Sequence, residues 1–166
     1  NPNDSESNFG NVFKILLKNV PMPQENIFNM KGANEPAVEV VRYQKILKNE
    51  LPEKNGLPVF DLVLLGMGDD GHTASIFPNQ MHLNAVAEFV AVARHPVSGQ
   101  KRVTLTGNTI RNAREVFFMI TGENKAEIFS EIIQKKPNTN QYPAAFMGSS
   151  NGEVSMYVDK SAASML

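Results

Sequence analysis

Hydrophobic and polar positions near the amino end of the chain follow a helical pattern. Apolar residues recur at three-and-four spacing after Ser7 and Asn8, and both of these residue types are favourable helix N-caps. The segment at residues 20–23, Val-Pro-Met-Pro, cannot continue a helix because proline lacks the backbone N–H and restricts the residue before it. The pattern therefore predicts an amphipathic helix that begins near Ser7 and ends before these prolines.

The next two segments favour different elements. Residues 27–30, Ile-Phe-Asn-Met, are predicted as a short strand, and residues 35–49 as a second helix. The apolar residues expected to lie partly on one face of that helix are Val38, Val41, Ile46 and Leu47.

Residues 59–65 form a short, apolar, β-rich run between a proline and a glycine. This pattern is typical of a strand buried on both faces of a parallel sheet, so we expect an inner strand here. Further strands are predicted at residues 89–92, 102–106, 116–121 and 154–158, with helices at residues 108–113 and 124–134. Strands that alternate with helices indicate an α/β fold, with an open, mostly parallel, Rossmann-like sheet flanked by helices, and residues 1–166 are expected to form a single domain or part of one.

Composition narrows the possible functions. The chain has 166 residues, of which 42% are hydrophobic and 20% are charged, as in a globular domain. The absence of cysteine excludes disulfides, cysteine nucleophiles and cysteine metal ligands, and the three histidines lack zinc-binding spacing, so no metal is expected. A net charge of −1 gives no basic surface for nucleic acid, and no apolar run is long enough to span a membrane. Because the chain opens without methionine, targeting cannot be judged from this end.

The candidate chemistry lies directly after the predicted inner strand. Three glycines, Gly66, Gly68 and Gly71, shape a loop that also carries Asp70 and is followed by His72. Ligands of open α/β sheets bind beyond the carboxyl ends of the strands, and glycines allow the backbone to approach a ligand closely. Histidine can exchange a proton near neutral pH, and Asp70 could fix its tautomer. Glycine-rich turns without function are common too, so spacing alone leaves both interpretations open.

A longer match favours the functional interpretation. Residues 66–78 read Gly-Met-Gly-Asp-Asp-Gly-His-Thr-Ala-Ser-Ile-Phe-Pro and closely resemble the signature loop of the 6-phosphogluconolactonases. Further segments that resemble this family are residues 7–8, 102–106, 116–126, 142–145 and 159–163. The resemblance therefore covers essentially the whole chain.

The resemblance implies a mechanism and a set of roles. His72 would act as general base on the water that attacks the lactone carbonyl, and Asp70 would orient His72. Backbone N–H groups of the glycine loop, residues 66–71, would lie near the developing oxyanion. Lys125 and Arg102 are the candidates for binding the 6-phosphate, although either could be a surface cation at a helix start or a sheet edge. Neither a metal nor an organic cofactor is implied, and the only implied partner is a small phosphorylated sugar lactone.

Two motifs typical of the family are missing. Its members begin with further βα units that contain a Ser-Gly-Gly-Ser phosphate loop and an Asp-Glu-Arg motif, and neither occurs in these 166 residues. The chain is therefore expected to be the C-terminal portion of a cytoplasmic 6-phosphogluconolactonase-like domain. Some relatives carry this module fused to glucose-6-phosphate dehydrogenase, and such a fusion stays open for the parent chain.

Two other functions compete with lactone hydrolysis. Glucosamine-6-phosphate deaminase has a similar glycine-histidine loop, but there the histidine is followed by Ile-Ala-Phe-Asn-Glu-Pro, whereas residues 73–78 here read Thr-Ala-Ser-Ile-Phe-Pro. The deaminase needs the acidic residue of this Asn-Glu pair for its reaction, and the lactonase does not. A non-catalytic sugar-phosphate-binding protein would need the phosphate site but no general base. Since Asp70 and His72 are both present, the lactonase is the favoured interpretation.

Overall fold

The computed structural model describes residues 3–5, 7–148 and 154–166. Within that part of the chain the α-helices are α1 (Asn8–Ile15), α2 (Pro36–Glu50), α3 (Gly107–Arg111) and α4 (Ala126–Ile133). The strands are β1 (Glu53–Lys54), β2 (Leu57–Pro58), β3 (Leu62–Gly66), β4 (Val90–Arg94), β5 (Lys101–Leu105), β6 (Glu115–Ile120) and β7 (Val154–Val158). Short 3₁₀ helices cover Leu17–Asn19, Gln24–Asn26, Pro78–Asn84, Glu123–Lys125, Pro137–Gln141 and Pro143–Phe146. None of the described helices is both long and apolar enough to cross a bilayer.

The main sheet is parallel and has the order β3–β6–β7. Leu64 lies opposite Phe117, and Phe117 lies opposite Ser155. Helix α3 precedes β6 in the chain, and α4 lies between β6 and β7, since two parallel strands need a crossover connection between them. The predicted α/β class with a Rossmann-like parallel sheet and flanking helices is confirmed.

The expected inner position of residues 59–65 is wrong for the described part of the chain. Strand β3 pairs only with β6, which makes β3 an edge strand and β6 the central one. Val63 and Leu65 are buried, whereas Leu62 and Leu64 are 42% and 59% exposed. Only one face of β3 is therefore covered, because its side chains alternate between the two faces of the sheet.

Strands β4 and β5 also differ from the expectation of parallel pairing. They form a separate antiparallel hairpin in which Val92 lies opposite Val103. The backbone N–H of His95 donates to the carbonyl oxygen of Gln100 at 2.9 Å, and Gly99 turns the chain with a φ of +69°. A left-handed φ is readily adopted by glycine, so a short hairpin turn forms where a crossover helix would be needed for parallel strands.

The two amino-terminal helices lie where the sequence predicts them. The Ser7 hydroxyl accepts a hydrogen bond from the backbone N–H of Gly10 at 3.0 Å and caps α1. The Glu35 carboxylate caps α2 in the same way. Two details of the prediction are wrong: residues 27–30 form no strand, and Val38 and Val41 are exposed on α2.

The hydrophobic core holds the carboxyl end of β3 in place. Val63 and Leu65 pack with Phe118 of the central strand and with Phe129 of α4. Phe77, which follows the glycine loop and is fully buried, belongs to the same cluster. Because protein cores are close-packed, the loop between β3 and Phe77 is anchored at both ends.

Candidate active site

The loop that follows β3 folds back on itself in a compact turn. The backbone N–H of Gly68 donates to the carbonyl oxygen of His72 at 2.8 Å, and that of Gly71 donates to the carbonyl oxygen of Gly68 at 3.0 Å. The Thr73 hydroxyl donates to the carbonyl oxygen of Gly66 at 2.7 Å. These bonds fix the start of the loop against its end, so the loop holds its polar side chains in a defined arrangement.

Asp70 and His72 form a hydrogen-bonded pair in this loop. Oδ1 of Asp70 lies 3.0 Å from the backbone nitrogen of His72 and 2.6 Å from its Nδ1. Since an ionised carboxylate can only accept, Nδ1 carries the proton and Nε2 of the neutral ring keeps its lone pair. The side chains of His72 and Asp70 are 28% and 43% exposed, so water can reach the pair. The prediction that Asp70 fixes the tautomer of His72 agrees with this geometry.

The charge of Asp70 suits that role. Burial raises the pKa of Asp70, but hydrogen bonds from the backbone N–H and the imidazole of His72 lower it by more, so its net pKa lies below the ordinary 3.8. Asp70 is therefore ionised at neutral pH and acts as a hydrogen-bond acceptor for His72.

Gly68 is needed because the imidazole lies against its Cα. A Cβ added at Gly68 would lie 2.0 Å from Nδ1 of His72 and 2.9 Å from Oδ1 of Asp70. At Gly66 a Cβ would meet no atom closer than 4.0 Å. The close approach is thus specific to Gly68, where any side chain would displace the pair.

Gly71 packs against the segment that contains Tyr142 and Ala144. Its φ is +77°, and an added Cβ would lie 2.6 Å from the ring of Tyr142. The backbone N–H of Ala144 donates to the carbonyl oxygen of Gly71 at 3.0 Å. Tyr142 is itself fixed, because its hydroxyl donates to Glu131 at 2.6 Å, and this bond together with burial raises the pKa of Tyr142 to about 12. Gly71 thus joins the loop to the segment around Tyr142.

The ring of His72 packs against Phe77, which in turn contacts His95, and neither contact is evident from the sequence. The ring centroids of His72 and Phe77 are 4.8 Å apart, and on another side of Phe77 the ring of His95 lies at 5.3 Å. Phe77 is fully buried, so it provides a rigid surface for the imidazole. Phe77 lies within the signature loop of residues 66–78, but nothing in the sequence indicates its contact with His95.

Lys125 lies next to the glycine loop, although it is distant in sequence. It is the N-cap residue of α4 and follows Gly122, whose φ is +97°. Its ammonium forms an ion pair with the carboxylate of Asp69, and its side chain is only 15% exposed. Burial lowers the pKa of Lys125, because removal from water disfavours the charged form. The sequence singled out Lys125 but not its partner Asp69.

Arg102 and His72 line adjoining clefts. Arg102, on β5, lines a cleft of about 330 Å³ together with Lys31. His72 and Gly68 line a second cleft of about 560 Å³ that runs along the open edge of β3. The residues that line both clefts are Asn8, Met30, Ser75 and Val103. The structure therefore brings Arg102 to the same side of the molecule as the Asp70–His72 pair.

One wall of the Arg102 cleft is held by Glu39 of α2. The Glu39 carboxylate is 1% exposed and accepts hydrogen bonds from the backbone N–H of Lys31, the amide of Asn34 and the guanidinium of Arg42 at 2.5–2.8 Å. Burial raises the pKa of Glu39, but these bonds lower it by more, to about 2. Glu39 thus fixes the residues 31–34 turn that lines the cleft.

We expect Glu39→Gln to lower the free energy of unfolding at pH 7 by about 3 kcal/mol, since a pKa shift from 4.5 to about 2 corresponds to that order. A depressed pKa stabilises the fold fully above about pH 4.5 and progressively less as the pH falls toward 2. Urea unfolding at pH 7 and pH 3 should therefore show a smaller difference between the two proteins in acid. The exposed Glu50→Gln on the same helix should change stability by less than about 0.5 kcal/mol. An equal difference at both pH values would contradict this role of Glu39.

The comparisons with known proteins agree with the motif. Residues 1–156 match the family model described as glucosamine-6-phosphate isomerases/6-phosphogluconolactonase. A protein of Haemophilus influenzae named 6-phosphogluconolactonase is 41% identical over 165 residues, which are 99% of this chain and 69% of that protein.

Two solved structures show the same fold. The crystal structure titled devB protein has a TM-score of 0.93 at 40% identity, and the match covers 99% of this chain and 69% of that one. A monomeric glucosamine-6-phosphate deaminase has a TM-score of 0.77 at 20% identity, and the match covers 99% of this chain and 70% of that one. At this identity the similarity supports the fold but not the function. The family match, the 41% identical relative and the fold shared with the devB structure together show that the chain belongs to the 6-phosphogluconolactonases of the glucosamine-6-phosphate isomerase/6-phosphogluconolactonase family.

Proposed function

We propose that residues 1–166 are the C-terminal, catalytic portion of a cytoplasmic 6-phosphogluconolactonase of the oxidative pentose phosphate pathway. It hydrolyses 6-phospho-D-glucono-1,5-lactone to 6-phosphogluconate. The observation that carries the proposal is the Asp70–His72 pair, held at 2.6 Å beside a cleft at the carboxyl end of β3. No Asn-Glu pair follows His72, which favours lactone hydrolysis over deamination.

His72 acts as general base in this reaction. Its Nε2 accepts a proton from water while the water oxygen bonds to C1 of the lactone. Asp70 stabilises the imidazolium that forms. When the bond between C1 and the ring oxygen breaks, the imidazolium returns the proton to that oxygen, which becomes a hydroxyl. The new carboxylic acid releases its own proton to water, so each turnover produces one equivalent of acid.

The oxyanion on C1 cannot be bound by the backbone N–H groups of Gly68 and Gly71. The backbone N–H groups of Gly68 and Gly71 are already bonded within the turn, to carbonyl oxygens of His72 and Gly68. Of the loop N–H groups expected to lie near the oxyanion, these two are therefore not available to it. Gly68 instead contributes by leaving room for His72, and Gly71 by joining the loop to Tyr142.

The 6-phosphate requires positive charge away from C1. Lys125 supplies an ammonium next to the loop, on a side chain that is only 15% exposed, at the amino end of α4, where the helix dipole also favours an anion. Arg102 supplies a guanidinium in the cleft that adjoins that of His72. We assign the phosphate to Lys125 and treat Arg102 as the alternative.

The function is tested by following acid release from freshly made 6-phosphogluconolactone and from unphosphorylated gluconolactone, with spontaneous hydrolysis subtracted. The proposal expects enzymatic opening of both rings and a much lower KM for the phosphorylated lactone. Rates equal to the spontaneous ones on both lactones would refute lactone hydrolysis by this chain.

We expect Lys125→Ala to raise the KM for the phosphorylated lactone by about ten- to a hundredfold. A hydrogen bond to a charged group contributes roughly 1.5–3 kcal/mol, which corresponds to one to two decades of affinity. The KM for the unphosphorylated lactone should change little, because that substrate offers the ammonium no phosphate. Lys45→Ala, at an exposed position of α2, is the matched control. Equal losses on both lactones would show that Lys125 is structural and would move the phosphate to Arg102.

A further inference from the structure

The partner of Lys125 has no assigned part in the reaction. Asp69 precedes Asp70 in the glycine loop, and its side chain is 67% exposed, whereas the side chain of Lys125, whose ammonium it contacts, is only 15% exposed. The ion pair therefore joins a lysine side chain that is mostly covered by protein to an anion that can turn outward into water. Of the two partners, Asp69 is the one that can leave.

A phosphate that binds Lys125 must take the place of this carboxylate. An ammonium has three N–H donors, but two anions on one ammonium repel each other at hydrogen-bond distance. A sugar phosphate is close to a dianion at neutral pH, whereas the Asp69 carboxylate is a monoanion. An exchange at Lys125 therefore favours a phosphate dianion over ligands with a single negative charge.

We propose that Asp69 is a specificity-determining residue, an internal anion that occupies Lys125 in the free protein and is displaced by the phosphate dianion of the substrate. The inference rests on the proposed function, since it takes Lys125 as the phosphate-binding residue. Asp69 keeps the Lys125 ammonium paired when no substrate is bound, and it weakens the binding of every anion that has to displace it.

The direct test measures the dissociation constant of inorganic phosphate by calorimetry. Asp69→Asn removes the competing charge and should tighten phosphate binding by roughly three- to tenfold, the scale of a partly exposed ion pair together with the repulsion it relieves. Asp69→Glu keeps the charge and should leave phosphate affinity near that of the native protein. Asp61→Asn, at a carboxylate that is 86% exposed and pairs with Arg114, controls for the change in net charge and should leave the affinity unchanged.

A double-mutant cycle shows whether the effect passes through Lys125. In the Lys125→Ala background, Asp69→Asn should no longer change phosphate affinity, because the contested ammonium is gone. If Asp69→Asn leaves phosphate binding unchanged or weakens it, Asp69 positions Lys125 and does not compete, and the inference is wrong. An effect of equal size without Lys125 would overturn it as well.

The outcome for Asp69 is separable from that for lactone hydrolysis. Phosphate binding is measured without turnover, so a protein that opens no lactone can still show the gain on Asp69→Asn and its loss without Lys125. Conversely, a protein that hydrolyses the phosphorylated lactone but binds phosphate equally well with and without Asp69 keeps the proposed function and loses this inference.

Discussion

Replacement of His72 by alanine should lower the kcat for 6-phosphogluconolactone by about 10²–10⁴-fold, with a much smaller change in KM. General base catalysis is typically of this size, and the ring contributes to proton transfer and not to substrate binding. The measurement is initial acid release, with spontaneous hydrolysis subtracted because the lactone also opens in water.

The control for this substitution is His82→Ala, which makes the same chemical change at an exposed histidine outside the loop and should retain native turnover. If His72→Ala turned over the lactone at near-native kcat, His72 would have no part in the mechanism. Loss of activity in both variants would indicate a general effect on the fold.

Gly68→Ala should lower kcat by roughly 10²-fold or more while the protein stays folded. The added Cβ would lie 2.0 Å from Nδ1 of His72 and 2.2 Å from Cε1, so the imidazole must leave its hydrogen bond with Asp70. A misplacement of about 1 Å at a catalytic group can cost two decades in rate. Overpacking typically costs 1–3 kcal/mol, less than the roughly 5–15 kcal/mol of a folded domain.

The matched control is Gly66→Ala in the same loop, where the new Cβ would meet nothing closer than 4.0 Å. This variant should lose far less activity than Gly68→Ala, and urea unfolding should show both variants folded, with Gly68→Ala less stable by no more than about 1–3 kcal/mol. Near-native kcat in Gly68→Ala would show that His72 works from another position, and the fixed Asp70–His72 geometry would then not explain catalysis.

The sequence predicts the helices well because their signals are local. Ser7 caps the start of α1, and the helix ends before Pro21 and Pro23, as the sequence predicts. Glu35 and Pro36 mark the start of α2. The strand at β3 is also predicted, but its place in the sheet is not. Residues 62–65 are all hydrophobic, so the pattern cannot show which face is covered or whether one edge stays unpaired.

The prediction of a mostly parallel sheet misses the hairpin of β4 and β5, because it gives no weight to the turn between them. Ser98 and Gly99 form a dipeptide that is typical of turns, and two strands joined by so short a connection must be antiparallel. This turn also places His95 against Phe77.

The sequence predicts those parts of the candidate site whose residues are close together in the chain. Asp70 and His72 are two positions apart, so one loop brings them together, and the motif names both. The ion pair of Asp69 with Lys125 depends on the packing of α4 beside the loop, which no local pattern encodes. The same holds for the contact of Gly71 with Tyr142.

The measurement that tests the central claim most directly compares two substrates on the native protein. Fresh 6-phosphogluconolactone and glucosamine 6-phosphate are supplied separately, and acid release and ammonia release are followed together. With His72 as general base and no Asn-Glu pair after it, we expect acid release from the lactone well above the spontaneous rate and no ammonia from the amino sugar. Ammonia release from glucosamine 6-phosphate without acceleration of lactone opening would contradict the assignment.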